Sequence, residues 1–501
     1  MGIESEQDRQ GQSEDIGHPR PVVPHDQQEL RVNLRTLLTP QNSAEYMKEL
    51  HLQRGSWIQK NVSAEERALC LKHGITIPEG ENSSDKTSWG DWKWHLQQRL
   101  TSNYADAFLA LFPEYQGREE LLREYLGSYD LSILPLNLSQ PEGIKKFLPR
   151  LGLRHSPDPY GVQKHDAVVL KEHEGKRYYL STHKKGYASF LPILGGGAGR
   201  VFCPVGCAGC YRGPQTRLHE PLAVSQADGS RETVWIPTPE QQTQWLVEEW
   251  NSNPEFADVY DVLFSGGEPM MLSNETWRDM MQYLKEAKHL KSFRVCTGSL
   301  FLGLPFRFDD ELIRTFTEFR EQTGIQVKLS VHVSHPEHIT PEALHYANKL
   351  KKAGVELLPQ CPLEPGVNFW MDDLDKTEDV LRTLDRSLSL AVGTRAYKWI
   401  LDMQGGVSLL PAIEVWRRIH DRHQEESDIT RPTSFALFLP QAEGNTNLSY
   451  HSLWAIQMQV DKEHGVVRYQ LPHPSKKMVS YEEPLIEGVN DDISRLEALK
   501  S

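Results

Sequence analysis

The sequence predicts an α/β protein whose core is a partial barrel of six β/α units, with a helical N-terminal extension and a C-terminal extension that closes the barrel. From about residue 200, short apolar runs alternate with amphipathic helical segments, as in parallel strands joined by crossover helices. Polar and cysteine residues follow the apolar runs, at the strand ends where α/β folds carry their sites. Apolar residues make up 38% of the chain, enough for a sizeable core.

Five regions are predicted along the chain. The first 28 residues are polar and nearly free of large apolar groups, which indicates a disordered tail. Amphipathic stretches such as YADAFLALF and REELLREYL predict helices in the region that follows. Two β-rich runs flank HEGK and predict a hairpin. The expected regions are a tail (1–28), a helical region (29–160), a hairpin and glycine-rich lead-in (161–195), the partial barrel (196–410) and a C-terminal extension (411–501).

Six strands and the helices between them define the barrel. Thr340 and Pro341 form a favourable helix start, and Gly354 a favourable stop. The predicted strands are GRVFC, YDVLFSGG, SFRVCTG, VKLSVHV, VELLPQC and AYKWILD. The predicted helices are PEQQTQWLVEEWN, NETWRDMMQYLKEAK, DDELIRTFTEFREQ, TPEALHYANKLKKAG and KTEDVLRTLDRSL.

Composition excludes several classes of function. The net charge of −14 disfavours nucleic acid and anionic membrane as partners. No apolar run of membrane length and no signal peptide stands in the sequence. Six cysteines in 501 residues indicate a reducing compartment, so we expect a cytoplasmic protein.

Three cysteines are the most informative feature of the chain. Cys203, Cys207 and Cys210, in FCPVGCAGCYRG, have the spacing C-x3-C-x2-C. Three thiolates on one loop can hold three irons of a [4Fe–4S] cluster and leave the fourth iron open to a small molecule. Structural zinc, a disulfide framework and buried thiols are the alternatives. Zinc is disfavoured because no fourth cysteine or histidine stands at finger spacing.

Further candidates follow the later strands. Gly266 and Gly267 let backbone approach a ligand, and Glu268 offers a carboxylate to an ammonium group. Thr297 ends the third strand as a candidate ligand contact, beside Cys296, which we expect to be buried.

The last three strands also end in polar residues. His332 and Gln360 follow the fourth and fifth strands, and Cys361 is expected to point away into packing. Asp402 ends the sixth strand. Lys398 shares its face by alternation and would need a partner such as Asp402 or Glu364.

These motifs resemble the lysine 2,3-aminomutase-like family of radical S-adenosylmethionine (SAM) enzymes. The resemblance runs from about residue 85 to about 435, with a gap over 110–195, and resumes weakly at 479–485. It is carried by the cysteine loop and by the stretches DWKWHLQQR, SGGEPMMLSNETW and VKLSVHVSHPEHITPEALHYANKLKKAGVELLPQCPLEPGVN.

The resemblance implies a role for each motif residue. Arg212 would bind the substrate carboxylate and Asp402 a substrate ammonium group. The cluster would cleave SAM with one electron from a reductant such as flavodoxin or ferredoxin. The resulting 5′-deoxyadenosyl radical would abstract hydrogen from an amino-acid-like substrate. The cluster ligands would be Cys203, Cys207 and Cys210, and the SAM contacts Gly266, Gly267, Glu268, Thr297, His332 and Gln360. A homo-oligomer is compatible with all of this.

Two departures from the family pattern affect the chemistry. Family members that move an amino group carry pyridoxal phosphate (PLP) on a lysine in a GGGK-type segment, where this chain has PQAEGNTN. A second substrate-binding aspartate is also missing, with Leu439 near its place. The family's C-terminal cysteine cluster is absent too, so no zinc is expected. Without a PLP aldimine, a 1,2-amino shift loses the π-system that carries the amino group.

Three functional hypotheses remain open. The first is a PLP-independent radical SAM enzyme that epimerises, desaturates, eliminates or rearranges an amino acid. The second is a 2,3-aminomutase that holds PLP on another lysine, such as Lys398, Lys476 or Lys477. The third is a non-catalytic iron–sulfur protein, which would have no use for the SAM-contacting residues.

Overall fold

The structure, a computed structural model, describes most of the chain from residue 43 to residue 500. All structural statements below concern those residues. The described ranges are 43–78, 88–101, 105–128, 132–149, 167–184, 187–190, 203–205, 207, 223–225, 231–394, 398–402, 406–425, 434–439, 444–448, 450–472 and 478–500.

The helices fall into an N-terminal group and a group that alternates with strands. They are α1 (Ser43–Asn61), α2 (Ala64–Lys72), α3 (Trp92–Gln98), α4 (Ala105–Leu111), α5 (Glu119–Ser128), α6 (Pro135–Leu138), α7 (Pro239–Ser252), α8 (Asn274–Leu284), α9 (Asp310–Thr323), α10 (Pro341–Lys352), α11 (Leu374–Arg386), α12 (Leu409–Glu425) and α13 (Ile493–Lys500).

The strands form one large sheet and three small ones. They are β1 (Leu100–Thr101), β2 (Ser132–Ile133), β3 (Ala167–His173), β4 (Lys176–Lys184), β5 (Tyr187–Phe190), β6 (Ala223–Ser225), β7 (Arg231–Thr233), β8 (Asp261–Phe264), β9 (Ser292–Thr297), β10 (Gln326–His332), β11 (Glu356–Pro362), β12 (Lys398–Asp402), β13 (Ser434–Leu439), β14 (Gly444–Leu448), β15 (Gln457–Asp461), β16 (Val466–Pro472) and β17 (Met478–Pro484).

A mixed sheet with a long parallel centre organises the molecule. Its order is β14-β13-β12-β11-β10-β9-β8-β5-β4-β3, and every pairing from β5 to β13 is parallel. Crossover helices join most of these strands, so the α/β prediction is confirmed and the curled parallel sheet is consistent with a half-barrel. The hairpin around HEGK is also confirmed, as β3 and β4.

The strand list differs from the prediction at both ends of the parallel sheet. Most of GRVFC lies outside the described residues, and β5 pairs with β8. At the other end, β13 pairs in parallel with β12, although its sequence SFALFL was placed in the C-terminal extension. Its three central residues are buried, as in a strand covered on both faces.

Helices cover one face of the sheet. Phe293 of β9 packs edge-on against Trp277 of α8 and Phe316 of α9, and all three are fully buried. We call the opposite face the inner face. Arg294 and Cys296 lie on it by alternation, and both are half-exposed. The expectation that Cys296 is buried is therefore wrong, because Cys296 lies on the inner face, opposite to the buried Phe293 and Val295.

The predicted helix boundaries of the fourth unit are confirmed. The Thr340 hydroxyl accepts a hydrogen bond from Ala343 N, and Pro341 opens α10. Gly354, with φ of +77°, follows the end of α10 in a conformation that favours glycine.

The N-terminal helices are locked onto the barrel by a buried ion pair. Arg54 of α1 donates through Nε and Nη2 to the two carboxylate oxygens of Glu342 in α10, at 2.8 and 3.2 Å. Trp89 Nε1 donates to the same carboxylate at 3.1 Å. These bonds hold down the pKa of the buried Glu342 carboxyl, against the opposing effect of its burial. In the described part of the chain, no helix is long and apolar enough to cross a membrane.

Candidate functional site

The cysteine loop lies against the end of β9. The structure places Cys203 and Cys207, both half-exposed and neither in a disulfide, whereas Cys210 and Arg212 lie outside the described residues. Between the two cysteines, the buried Val205 packs over Gly298, where an added Cβ would stand 3.2 Å from Val205 Cγ1. Ser132 Oγ donates a short hydrogen bond to the carbonyl of Pro204. The loop is therefore anchored on both sides.

The Gly-Gly-Glu segment reaches the same strand end. Glu268 accepts hydrogen bonds from Thr297 Oγ1 at 2.6 Å, from Gly298 N at 2.8 Å and from Ser299 N at 3.2 Å. Met270 N donates to it as well, at 3.1 Å. The Glu268 side chain thus ties the segment after β8 to the segment after β9, which in turn contacts the cysteine loop.

This arrangement divides the roles within the segment. Glu268 is buried, and burial raises the pKa of its carboxyl while its hydrogen bonds lower it. Gly266 and Gly267 are half-exposed, and Gly266 has φ of +141°, where glycine is favoured. Backbone approach to a ligand fits these glycines. Direct ligand contacts of Glu268 and Thr297 stay predictions, since their side chains bond to each other here.

A row of polar residues crosses the inner face of the sheet. His332 of β10 is in register with Gln360 of β11, Gln360 with Lys398 of β12, and Lys398 with Ser434 of β13. Residues in register on parallel strands share a face, so the row brings two predicted SAM contacts together. Burial of the imidazole lowers the pKa of His332 to about 4, and the positive charge of Lys146 contributes to this decrease.

Lys146 is a site residue that sequence reasoning missed. It ends the 3₁₀ turn Gly143–Lys146, and its buried ammonium donates to Glu364 Oε2 at 2.5 Å and to Ser334 Oγ at 3.0 Å. Nothing in its neighbourhood, PEGIKKFLP, signals a buried ammonium group. Glu364 was expected to partner Lys398, but its described cation partner is Lys146.

The turn that carries Lys146 is clamped to the loop after β10. Glu337 Oε2 accepts from the backbone N–H groups of Glu142 and Gly143, both at 2.8 Å. His338 Nε2 lies 3.0 Å from the carbonyl of Gly143, and its Nδ1 accepts from Ser334 N at 3.2 Å. The His338 imidazole is therefore the tautomer with hydrogen on Nε2.

The loops after β10 and β11 are themselves joined by one amide. Asn368 Nδ2 donates to the carbonyls of Ser334 and Pro362, each at 2.8 Å, and Asn368 Oδ1 accepts from Glu364 N at 2.7 Å. Cys361 is buried, and burial raises the pKa of its thiol, which confirms that it packs away from the site. The Asn368 amide thus joins the loops that follow β10 and β11 by hydrogen bonds.

The cysteine chemistry fits an iron–sulfur group as far as the structure describes it. Cys203 and Cys207 share one loop and are half-exposed, whereas Cys70 is buried with a pKa raised to about 12 by burial. Thiolates are the ligands of such clusters, and half-exposed thiols lose a proton more easily than buried ones. Within the described residues no three metal-ligating side chains cluster, and Cys210 is not among those residues.

Comparison with known proteins supports the same class. The chain is 26% identical over 374 residues to the putative L-lysine 2,3-aminomutase of Aquifex aeolicus, which covers 72% of this chain and 88% of that protein. It is 26% identical over 296 residues to the L-lysine 2,3-aminomutase of Acetoanaerobium sticklandii, covering 58% of this chain and 62% of the relative. The glutamate 2,3-aminomutase of Clostridioides difficile is 23% identical over 346 residues, covering 67% and 72%. No protein-family model matches the chain.

Fold and site together define an α/β protein with a cysteine loop and a Gly-Gly-Glu segment at the carboxyl ends of parallel strands. The relatives confirm the resemblance to the lysine 2,3-aminomutase-like proteins. They also support the radical SAM, iron–sulfur and amino-acid-substrate interpretation of the motifs.

Proposed function

We propose that this chain is a radical SAM enzyme that abstracts a hydrogen atom from an amino-acid-like substrate without PLP. Cys203, Cys207 and Cys210 would hold the [4Fe–4S] cluster, which supplies the electron for reductive cleavage of SAM. The observation that carries the proposal is the contact between the cysteine loop and Gly298, whose N–H is held by Glu268.

The chain's own residues have separate tasks in this proposal. The Gly266 and Gly267 backbone and the His332 and Gln360 side chains would orient SAM. The depressed pKa of His332 keeps its ring neutral near pH 7, so one ring nitrogen can accept a hydrogen bond. Arg212 would bind the substrate carboxylate, and Asp402, at the last position of β12, a substrate ammonium group.

The proposal is compatible with a substrate that has either a cationic or an anionic side chain. Relatives carry names for both lysine and glutamate aminomutases. Epimerisation, desaturation, elimination and rearrangement are all compatible with hydrogen abstraction. A flavodoxin- or ferredoxin-type reductant and a reducing cytoplasm belong to the same proposal.

A PLP-dependent 2,3-aminomutase is the second candidate. One observation favours it: Lys398 faces the inner side of the sheet beside His332 and Gln360. The non-catalytic iron–sulfur protein is disfavoured, because the row of polar residues would then have no ligand to bind.

A cofactor inventory distinguishes the candidates. The protein is expressed with PLP supplied, purified without oxygen and denatured for iron, sulfide and PLP analysis. We expect about four irons per chain and no PLP. Stoichiometric PLP would contradict the proposal and restore the aminomutase.

A substitution separates substrate binding from SAM chemistry. Arg212→Ala should keep the cluster and reductive SAM cleavage but lose substrate turnover, because only the carboxylate contact is removed. Turnover at the parental rate would show that Arg212 does not bind the substrate.

A further inference from the structure

Lys398 is a cation on the inner face, and no carboxylate among the described residues pairs with it. It begins β12, and its neighbours Trp399 and Leu401 point to the helix-covered side and are fully buried. Lys398 is half-exposed and therefore points to the inner side, level with Gln360 in the adjacent strand. The Lys398 side chain thus stands in the row that includes the predicted SAM contacts.

Arg294 is a second half-exposed cation on the inner face. Arg294 lies on β9, three strands away from β12, which would be about 14 Å on a flat sheet. The positive charge of Arg294 nevertheless lowers the pKa of Lys398, in addition to the larger effect of burial. Both cationic side chains thus lie on the inner face of the sheet.

The carboxylates near this face are already paired with other cations. Asp261 Oδ2 accepts from Arg294 Nε at 2.5 Å, and Glu356 lies 3.5 Å from the ammonium of Lys328. In the loop after β11, Glu364 is paired with Lys146. The structure gives Lys398 no carboxylate partner within the described residues, where the side chain of Asp402 is not included.

We propose that Lys398 binds a second anionic group, a carboxylate or a phosphate ester, of an amino-acid-like ligand held in the barrel. This inference rests on the proposed function and narrows its substrate to amino acids with an anionic side chain. A half-buried charge without a protein partner is unfavourable, and an anionic ligand group relieves it.

The test compares two probes of the same shape that differ by one charge. Calorimetry on the full chain, with the cluster reconstituted and SAM present, measures the affinity for L-glutamate and for L-glutamine. The parent chain should prefer L-glutamate by about tenfold or more, as expected for a charge-assisted hydrogen bond. Lys398→Met should abolish this preference and Lys398→Arg should retain most of it. Lys328→Met is the matched control, because Lys328 lies on the same face but already pairs with Glu356.

Each outcome decides the inference. The inference is overturned if Lys398→Met prefers L-glutamate over L-glutamine as the parent does. It is also overturned if the parent shows no such preference, except where inorganic phosphate binds the parent and does not bind Lys398→Met. That result supports the anion site and assigns it to a phosphate. Borohydride trapping of PLP on Lys398 would also overturn it, because the amine would then form a covalent bond. Failure of the parent chain to cleave SAM would refute the proposed function instead. The binding preference for L-glutamate can still be measured in that case, because calorimetry does not require SAM cleavage.

Discussion

The carboxylate of Glu268 bonds to its own protein and fixes the shape of the site. Four donors from two loops converge on it, and three of them are backbone N–H groups. Glu268 thereby fastens the loop after β8 to the loop after β9, while Gly266 and Gly267 beside it stay half-exposed.

Glu268→Ala should therefore destabilise the barrel strongly. The N–H groups of Met270 and Gly298 would be left without their acceptor, whereas Ser299 N keeps Thr297 Oγ1, and the loss costs on the order of 3 kcal/mol of unfolding free energy. Urea denaturation followed by circular dichroism measures the change. The exposed Glu275, in the first turn of α8, provides the control, and Glu275→Ala should stay within about 0.5 kcal/mol of the parent. Equal stability of both variants would contradict the role assigned to Glu268.

Lys146 and its neighbour Lys145 form ion pairs of different kinds. Lys146 and Glu364 are buried, whereas Lys145 pairs with Glu142 at 2.7 Å with about 40% of each side chain exposed. Lys146→Met should lower the unfolding free energy by about 3 kcal/mol or more, because it leaves a buried carboxylate unpaired. Lys145→Met should cost less than about 1 kcal/mol. Adding Glu364→Gln to Lys146→Met should recover part of the loss, and no recovery would show that charge is not the cause.

At the scale of elements, the described part of the cysteine loop contacts Gly298, directly after β9. A Cβ on Gly298 would stand 3.0 Å from Leu302 Cδ1 and 3.2 Å from Val205 Cγ1. These distances are tighter than ordinary contacts, so a side chain at this position requires Leu302, or Val205 in the loop that carries Cys203 and Cys207, to shift.

Gly298→Ala should accordingly weaken SAM binding by several-fold, because the loop shifts relative to the segment held by Glu268. Val205→Ala removes the loop methyl group that stands 3.2 Å from the new Cβ, so the double variant should bind SAM better than Gly298→Ala alone. Iron content and SAM affinity of the three variants, measured without oxygen, test this coupling. Strictly additive losses would argue against a direct contact of loop and strand.

At the scale of the whole molecule, buried histidines link stability to pH. Burial lowers the pKa of His338 to about 3, well below the value near 6.5 of an unfolded histidine. Between these values the unfolded chain binds a proton that the folded chain does not bind. The contribution of His338 to stability is therefore lost as the pH falls from 6.5 towards 3. Burial acts in the same direction on His95, whose pKa is lowered to about 4.

His338→Gln should flatten the dependence of stability on pH. Glutamine can still accept from the loop N–H groups and donate to the Gly143 carbonyl, but it does not titrate. Between pH 5 and 6 the slope of the unfolding free energy should fall by about 1 kcal/mol per pH unit relative to the parent. Parallel pH profiles of parent and variant would show that His338 is protonated in the folded chain.

The sequence predicted those parts of the fold whose information is local. Thr340 and Gly354 mark helix ends through their own side chain and backbone, and His332 and Gln360 end apolar runs at the expected places. The structure brings the last two into register, as their positions at neighbouring strand ends required.

The remaining features depend on contacts between distant segments. Lys146 and Glu364 are 218 residues apart, and neither has a local pattern that marks its partner. Cys296 was expected to be buried because alternation in SFRVCT does not show which face the helices cover. The pairing of β13 with β12 is also a contact between separate segments, so the sequence SFALFL alone did not indicate that β13 belongs to the parallel sheet.

Reductive cleavage of SAM tests the central claim most directly. The anaerobically purified chain is mixed with SAM and dithionite, and 5′-deoxyadenosine is quantified by chromatography and mass spectrometry. The parent chain should form 5′-deoxyadenosine, and Cys207→Ala, which removes one cluster ligand, should form none. A parent chain with about four irons that forms no 5′-deoxyadenosine would contradict the account, and so would cleavage that persists in Cys207→Ala.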